Sequence, residues 1–257
     1  MKILLTNDDG IHAPGILAVY KALKDLGEVL VVAPDRPRSA TGHAITLHKP
    51  LRLKKVSLPD GATGYETNGV PADCVCLAVC EIMGEAPELL VSGINRGPNL
   101  GWDVTYSGTI SAAMEGAVAD IPSIAVSVAA HDYTGDYALA ARFMVRLGKW
   151  YAEVGGIPRG LLNINIPNAT ADEIKGVALT TLGSRRYMAT VKKETDPRGV
   201  PYYWIDGDPT EGIDQEGTDV HAILHNYISV TPVSLDLTCR NGFARMEEIR
   251  AIPYSCV

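Results

Sequence analysis

What most limits the fold of this chain is a set of short, unbroken apolar runs separated by segments of helical period. Residues 3–5, 29–33, 89–93, 124–128 and 161–166 are such runs, bounded by polar, glycine or proline residues. Between the first two, Pro14–Leu23 places apolar side chains at 16, 19, 20 and 23, which is helical spacing, and Pro14 suits a first turn. Strand, helix and strand over about thirty residues make a βαβ unit. Strands that are apolar on both faces predict an α/β fold, with a mostly parallel sheet covered by helices on both sides. Further helices are expected over 71–83, 107–119 and 136–151, and an alternating strand over 51–56 runs into the turn Pro59-Asp60-Gly61.

The pattern changes past residue 168. Residues 177–182, 187–193 and 202–205 alternate apolar and polar side chains around the turn Asp196-Pro197-Arg198-Gly199, an antiparallel signature. Tyr187, Tyr202, Tyr203 and Trp204 gather there. A helix near 219–224 and a strand at 228–232 follow. With no repeat or low-complexity linker, residues 1–257 read as a single α/β domain carrying a β-rich extension around 177–232.

Charge narrows the partners. The chain has 23 basic and 30 acidic residues, net −7. Without a basic excess to neutralise phosphates, a nucleic-acid polymer or an anionic membrane is not an expected partner. Of the 5 cysteines, Cys74, Cys76 and Cys80 fall in one apolar segment and none forms a CxxC pair. They read as free thiols in a core, not as a disulfide framework. No signal-peptide pattern and no membrane-length apolar stretch is present, so the expected location is cytoplasmic.

In open α/β sheets, ligands sit beyond the carboxyl ends of the strands. The first run ends in Asn7-Asp8-Asp9-Gly10, the second in Asp35 to Gly42 with Ser39, and the third in Ser92-Gly93-Ile94-Asn95-Arg96-Gly97-Pro98-Asn99. Three loops therefore deliver oxygen donors and glycines to one sheet edge. Two neighbouring carboxylates repel unless a positive group offsets them. Asp8 and Asp9, with Ser39 and Asn95, form a hard-oxygen set suited to Mg2+ or Mn2+; no cysteine or histidine pair accompanies them to favour Zn2+. Ser107-Gly108-Thr109 stands at the start of an alanine-rich helix, where unpaired N–H groups and the dipole favour an anion. The same residues also fit an ordinary N-cap. His12, His43, Arg36, Arg38 and Arg96 lie in these loops, where they serve either the site or the surface.

A divalent ion beside an anion-binding helix start points to phosphomonoester hydrolysis. The base is Asp8, Asp9 or a hydroxide on the metal. Two other classes share parts of the pattern: a phosphate-sensing module without turnover, and a metal-dependent transferase.

The segments ILLTNDDGIHAPGI, APDRPRSATGHAIT, TNGVPADCV, SGINRGPNLG with DVTYSGTISAAMEG, and TDVHAILHNYISVTP closely resemble the SurE family of metal-dependent 5′/3′-nucleotidases, from Met1 to about Pro232. The resemblance implies a Rossmann-like domain with a C-terminal β-hairpin exchanged between subunits of a homodimer or homotetramer. It also implies hydrolysis of nucleoside 5′-monophosphates, with 3′-nucleotides and short polyphosphates as further substrates. Carried over residue by residue, the family's metal ligands fall on Asp8, Asp9, Ser39 and Asn95. Its phosphate-contacting loop falls on Ser107, Gly108 and Thr109, and Asn95 and Asn99 face the substrate. Trp102 and Val70 depart from the family pattern, which has a small or polar residue and Thr there; neither is a carried-over ligand.

Overall fold

The computed structural model describes residues 1–130, 137–185, 190–206, 212–246 and 249. The core elements are β1 (Lys2–Thr6), α1 (Pro14–Leu23), β2 (Glu28–Pro34), β3 (Leu53–Ser57), β4 (Thr63–Thr67) and α2 (Pro71–Leu77), which continues as a π-helical stretch, Ala78–Met83. Next come β5 (Leu89–Arg96), a 3-10 turn at Gly101–Thr105, α3 (Gly108–Val118), β6 (Ser123–Ala129), α4 (Tyr137–Glu153) and β7 (Gly160–Pro167). The remainder is β8 (Gly176–Leu179), β9 (Thr190–Thr195), β10 (Pro201–Asp206), α5 (Asp219–Leu224), β11 (Tyr227–Ser234) and α6 (Phe243–Met246).

Nine strands form one sheet in the order β3-β4-β2-β1-β5-β6-β7-β11-β8. From β4 through β7 every pairing is parallel; β3 and β11 run against their neighbours β4 and β7. The pleat explains why the central runs are apolar throughout. Ile3, Leu5, Leu89, Val91, Ile124 and Val126 pack with Ile16, Val19 and Met144 of α1 and α4 on one face. Leu4, Leu90 and Ala125 pack with Cys74, Val75, Ile110 and Ala113 of α2 and α3 on the other. Each strand thus fills two cores, as the sequence pattern requires.

Three differences from the sequence reading have physical causes. The strand expected at 177–182 is β8, and it runs parallel to β11 as the outermost strand of the main sheet. Period-two alternation records one open face, here exposed Val177 and Leu179, and carries no information about strand direction. β11 likewise belongs to the main sheet, so the separate β extension narrows to β9 and β10. These pair antiparallel from Pro201↔Thr195 to Asp206↔Thr190 as a two-stranded sheet. Third, β4 is an unexpected strand: its sequence, TGYET, has no apolar run because β3 covers it near the edge. Part of the expected 187–193 strand, together with Tyr187 and the first residue of the expected 136–151 helix, lies outside the described residues.

Cys74, Cys76, Cys80 and Cys239 are free thiols, but of the three expected in a core only Cys74 is buried: Cys76 is half-buried and Cys80, in the π-helical stretch, is exposed; Cys256 is outside the described residues. Among the described residues no helix is long and apolar enough to cross a membrane.

Candidate active site

From β1 the sheet grows one way through β2 and the other way through β5. The crevice beyond the carboxyl ends of β1 and β5 is therefore where strand order reverses and ligands are accommodated. Asn7, fully buried, shapes the loop at the end of β1. Its Nδ2 donates to the Gly10 carbonyl at 2.9 Å and its Oδ1 accepts the Gly10 N–H at 3.1 Å. Gly10 takes a φ of +99° to close this turn, a conformation other residues rarely adopt. Asp8 and Asp9 are held inside the turn.

Asp8 is the hub that joins the loops. The buried Thr109 hydroxyl donates to its Oδ1 at 2.7 Å. A Cβ added at Gly108 would lie 2.8 Å from the Asp8 Cβ and 3.0 Å from its Oδ2, so the first residue of α3 rests directly against the carboxylate. Glycine is the residue that permits this approach. The Arg38 N–H donates to the Asp8 carbonyl at 2.7 Å, which brings in the loop carrying Ser39. That loop also reaches α3, through the Gly42 N–H on the Tyr106 carbonyl at 2.9 Å. From β5, the Arg96 N–H donates to Asp9 Oδ2 at 3.3 Å. Asn95 sits just past a register shift between Ser92 and Asn95, with its Nδ2 on the Gly97 carbonyl at 2.9 Å. This leaves the Asn95 Oδ1 as the atom that can turn to a cation.

Burial, first, and the neighbouring Asp9 charge raise the Asp8 carboxyl to about 6, against the opposing hydrogen bond from Thr109. Burial also raises Asp9, with the Arg96 amide and charge acting the other way. Tyr137, at the start of α4, is raised by burial and then by the Asp9 charge. At both acids burial is the largest cause of the rise, and a bound cation would favour their charged forms. The donors carried by these joined loops are carboxylate and amide oxygens, with exposed Ser39 next in chain to Arg38. This set fits a hard cation such as Mg2+ or Mn2+.

The other expected residues divide. Ser107 caps α3, its Oγ accepting the Ile110 N–H at 3.2 Å, so the N-cap reading holds for that oxygen. The Thr109 hydroxyl is directed at Asp8. Asn99 is mostly buried: its Nδ2 donates to the Ser127 Oγ at 2.8 Å, and its carbonyl accepts from Asn163 and Asn165 at 2.9 Å each. His43 pairs with Glu115 at 2.9 Å, and the Arg38 guanidinium is spent on Asp35 and the Asn68 carbonyl. His12 and Arg36 are exposed.

Sequence reasoning missed the support beneath this loop. Asn163 and Asn165 are polar residues two apart in the otherwise apolar β7, and both are fully buried. That spacing puts them on one face of the strand and was a readable signal of a polar network. Asp219, also fully buried, accepts the N–H groups of Gly101 at 2.8 Å and Gly183 at 2.7 Å, anchoring the far end of the same loop.

Comparison with known proteins agrees with this geometry. The family model described as "Survival protein SurE" matches residues 3–189. The chain is 51% identical to the 5′-nucleotidase SurE of Heliobacterium modesticaldum over 93% of this chain and 88% of that protein. It is 48% identical to the Geobacter sulfurreducens protein of the same name, over 93% and 89%. The crystal structure of the SurE protein from Aquifex aeolicus superposes with a TM-score of 0.82 at 43% identity, covering 97% of this chain and 100% of that one. With a family model matched over residues 3–189, relatives about half identical along most of its length, and the same fold as a solved SurE protein, this chain belongs to the SurE family.

Proposed function

We propose that this protein is a metal-dependent phosphomonoesterase that hydrolyses nucleoside 5′-monophosphates to nucleoside and phosphate. The observation that carries the reading is the buried Asp8 carboxylate, beside Asp9 and pressed against the first residue of α3, in the crevice where strand order reverses. The relatives' name, 5′-nucleotidase, supports the substrate class.

Asp8, Asp9, Asn95 and Ser39 are the residues that would hold Mg2+ or Mn2+. When bound, that ion supplies Lewis acidity at a phosphoryl oxygen and makes water more acidic. The chain does the rest. The Gly108 N–H and the Ser107 hydroxyl, at the positive end of α3, offer donors to the phosphoryl oxygens as charge develops. Thr109 acts through Asp8, fixing the carboxylate's orientation. Asp9 is less buried than Asp8 and keeps its Oδ1 clear of the described hydrogen bonds, so it is the carboxylate placed to accept a proton from the attacking water. The water oxygen bonds to phosphorus as the bond from phosphorus to the ribose oxygen breaks; the ribose oxygen takes up the proton that Asp9 accepted, delivered directly or through solvent, and the nucleoside leaves as its alcohol. Asn99, bound by β6 and β7, sets the loop that closes this side of the crevice.

Free phosphate measured after incubation with AMP, GMP or UMP and either metal tests the proposal. Release that is abolished by chelation supports it. Tight binding without release would instead make the protein a nucleotide sensor.

The hairpin supports a homo-oligomer. Val191, Tyr203, Trp204 and Ile205 are all more than half exposed on a two-stranded ribbon that is not stable by itself. A second copy of the chain is the partner this reading assigns to that surface, and light scattering measures it.

A further inference from the structure

Away from the crevice, one cluster of metal-capable side chains remains among the described residues. Asp214, His221 and His225 bring one ligand atom each to within 4.8 Å of one another. His221 lies in α5 and His225 one turn later, the spacing that sets two imidazoles on one helix face. Their ring centroids are 4.2 Å apart. Asp214, in the segment that leads into α5, spans both rings: Oδ1 is 2.6 Å from the His221 Nδ1 and Oδ2 is 3.0 Å from the His225 Nε2.

We infer that Asp214, His221 and His225 form a second metal site, one that takes a borderline-soft divalent ion such as Zn2+. The ion fastens the segment entering α5 to α5 itself. Two imidazole nitrogens and a carboxylate are the donor types that favour Zn2+, Co2+ or Ni2+ over Mg2+. With bonds of about 2.0–2.2 Å, tetrahedral ligand atoms stand about 3.3 Å apart; the two observed Asp–His spacings, 2.6 and 3.0 Å, are somewhat shorter. Small rotations of the Asp214 carboxylate would complete three corners, and partial exposure of all three residues leaves the fourth corner to water. A purely ionic cluster is the poorer account. With both rings protonated, one carboxylate faces two imidazolium ions stacked 4.2 Å apart; with the rings neutral, a single dication satisfies all three donors. The consequence is structural. α5 also carries Asp219, which holds the Gly101 N–H, so the site braces the helix that anchors the substrate loop.

The test uses the full chain, stripped with a chelator and equilibrated with Zn2+ in a large excess of Mg2+ to occupy the oxygen-rich site. Wild type and D8N are expected to retain one more Zn2+ per chain than the H221Q/H225Q double variant. Zn2+ should raise the thermal midpoint of the first two only. D214N should weaken Zn2+ binding at least tenfold, and H221Q/H225Q should hydrolyse nucleotides normally with Mg2+. Equal Zn2+ content in wild type and folded H221Q/H225Q would overturn the assignment, as would unchanged affinity in D214N. Because D8N must keep this Zn2+ while losing activity, failure of either site's assignment is visible separately.

Discussion

Replacing Asp8 by Asn in the metal-free protein should move stability and activity in opposite directions. Burial and the Asp9 charge raise the Asp8 carboxyl from 3.8 to about 6. A shift of about 2 units corresponds to about 3 kcal/mol. The folded protein holds this proton more tightly than the unfolded chain does. The stabilising contribution is therefore complete below the unfolded pKa of 3.8 and is lost as pH rises through about 6. Between about pH 4 and pH 7.5 the wild type loses roughly 2–3 kcal/mol that the Asn variant, with no proton to release, does not lose. For a chain of this size that is a relative shift of about 5–10 °C in thermal midpoint. Melting both proteins in EDTA at fixed concentration across this range measures it, because the remaining titrating groups are shared and cancel. D8N is expected to melt above wild type at about pH 7.5, with the gap closing toward about pH 4. Saturating Mg2+ should restore the wild type alone, and turnover of AMP by D8N should fall by orders of magnitude. A gap of the same size at both pH values, or a wild type more stable than D8N at neutral pH without metal, would refute the argument that two uncompensated acids are stored at this sheet edge.

The neighbouring residues give sharper variants. Thr109→Val removes the hydroxyl that lowers the Asp8 pKa, so the acid limb of the pH profile for kcat/KM should move to higher pH while the fold survives. Gly108→Ala puts a methyl group 2.8 Å from the Asp8 Cβ. It should cost about 1–3 kcal/mol of stability by denaturant titration and reduce turnover at least a hundredfold. Asn165→Ala leaves the Asn99 N–H without its acceptor and removes a donor to the Asn99 carbonyl. A loss of about 1–3 kcal/mol is expected, with a rise in KM as the substrate loop loosens. Trp204→Glu with Ile205→Glu should lower the molar mass seen by light scattering without changing the circular dichroism of the main sheet.

How far the sequence could be read follows from where each interaction lies along the chain. The strands β1, β2, β5, β6 and β7 were legible because burial on both faces forces short, largely apolar runs, and the turn residues and helical segments between them mark those runs as strands. β4 was not: TGYET owes its strand state to hydrogen bonds with β2 and β3, and nothing local encodes them. β8 shows the complementary failure, since its alternation is real but strand direction is set by the connection and not by the residues. The same distinction applies at the site. Asp8 and Asp9 announce themselves by following an interior strand, whereas the role of Thr109 depends on a contact across 101 positions. Read locally, Ser107-Gly108-Thr109 is only a helix start with spare donors. Folded, it is the surface against which a buried carboxylate is pressed, with the Thr109 hydroxyl held on the acid. The buried Asn163 and Asn165 were visible as polar breaks in an apolar strand, but their partner, Asn99, lies 64 and 66 residues away, and only the sheet order brings them together. Local pattern therefore specifies which residues must be buried and which must be charged at a strand end. The pairing that turns those charges into a site is a property of the topology, and substitutions at the long-range partners Thr109 and Asn165 are the ones that test it.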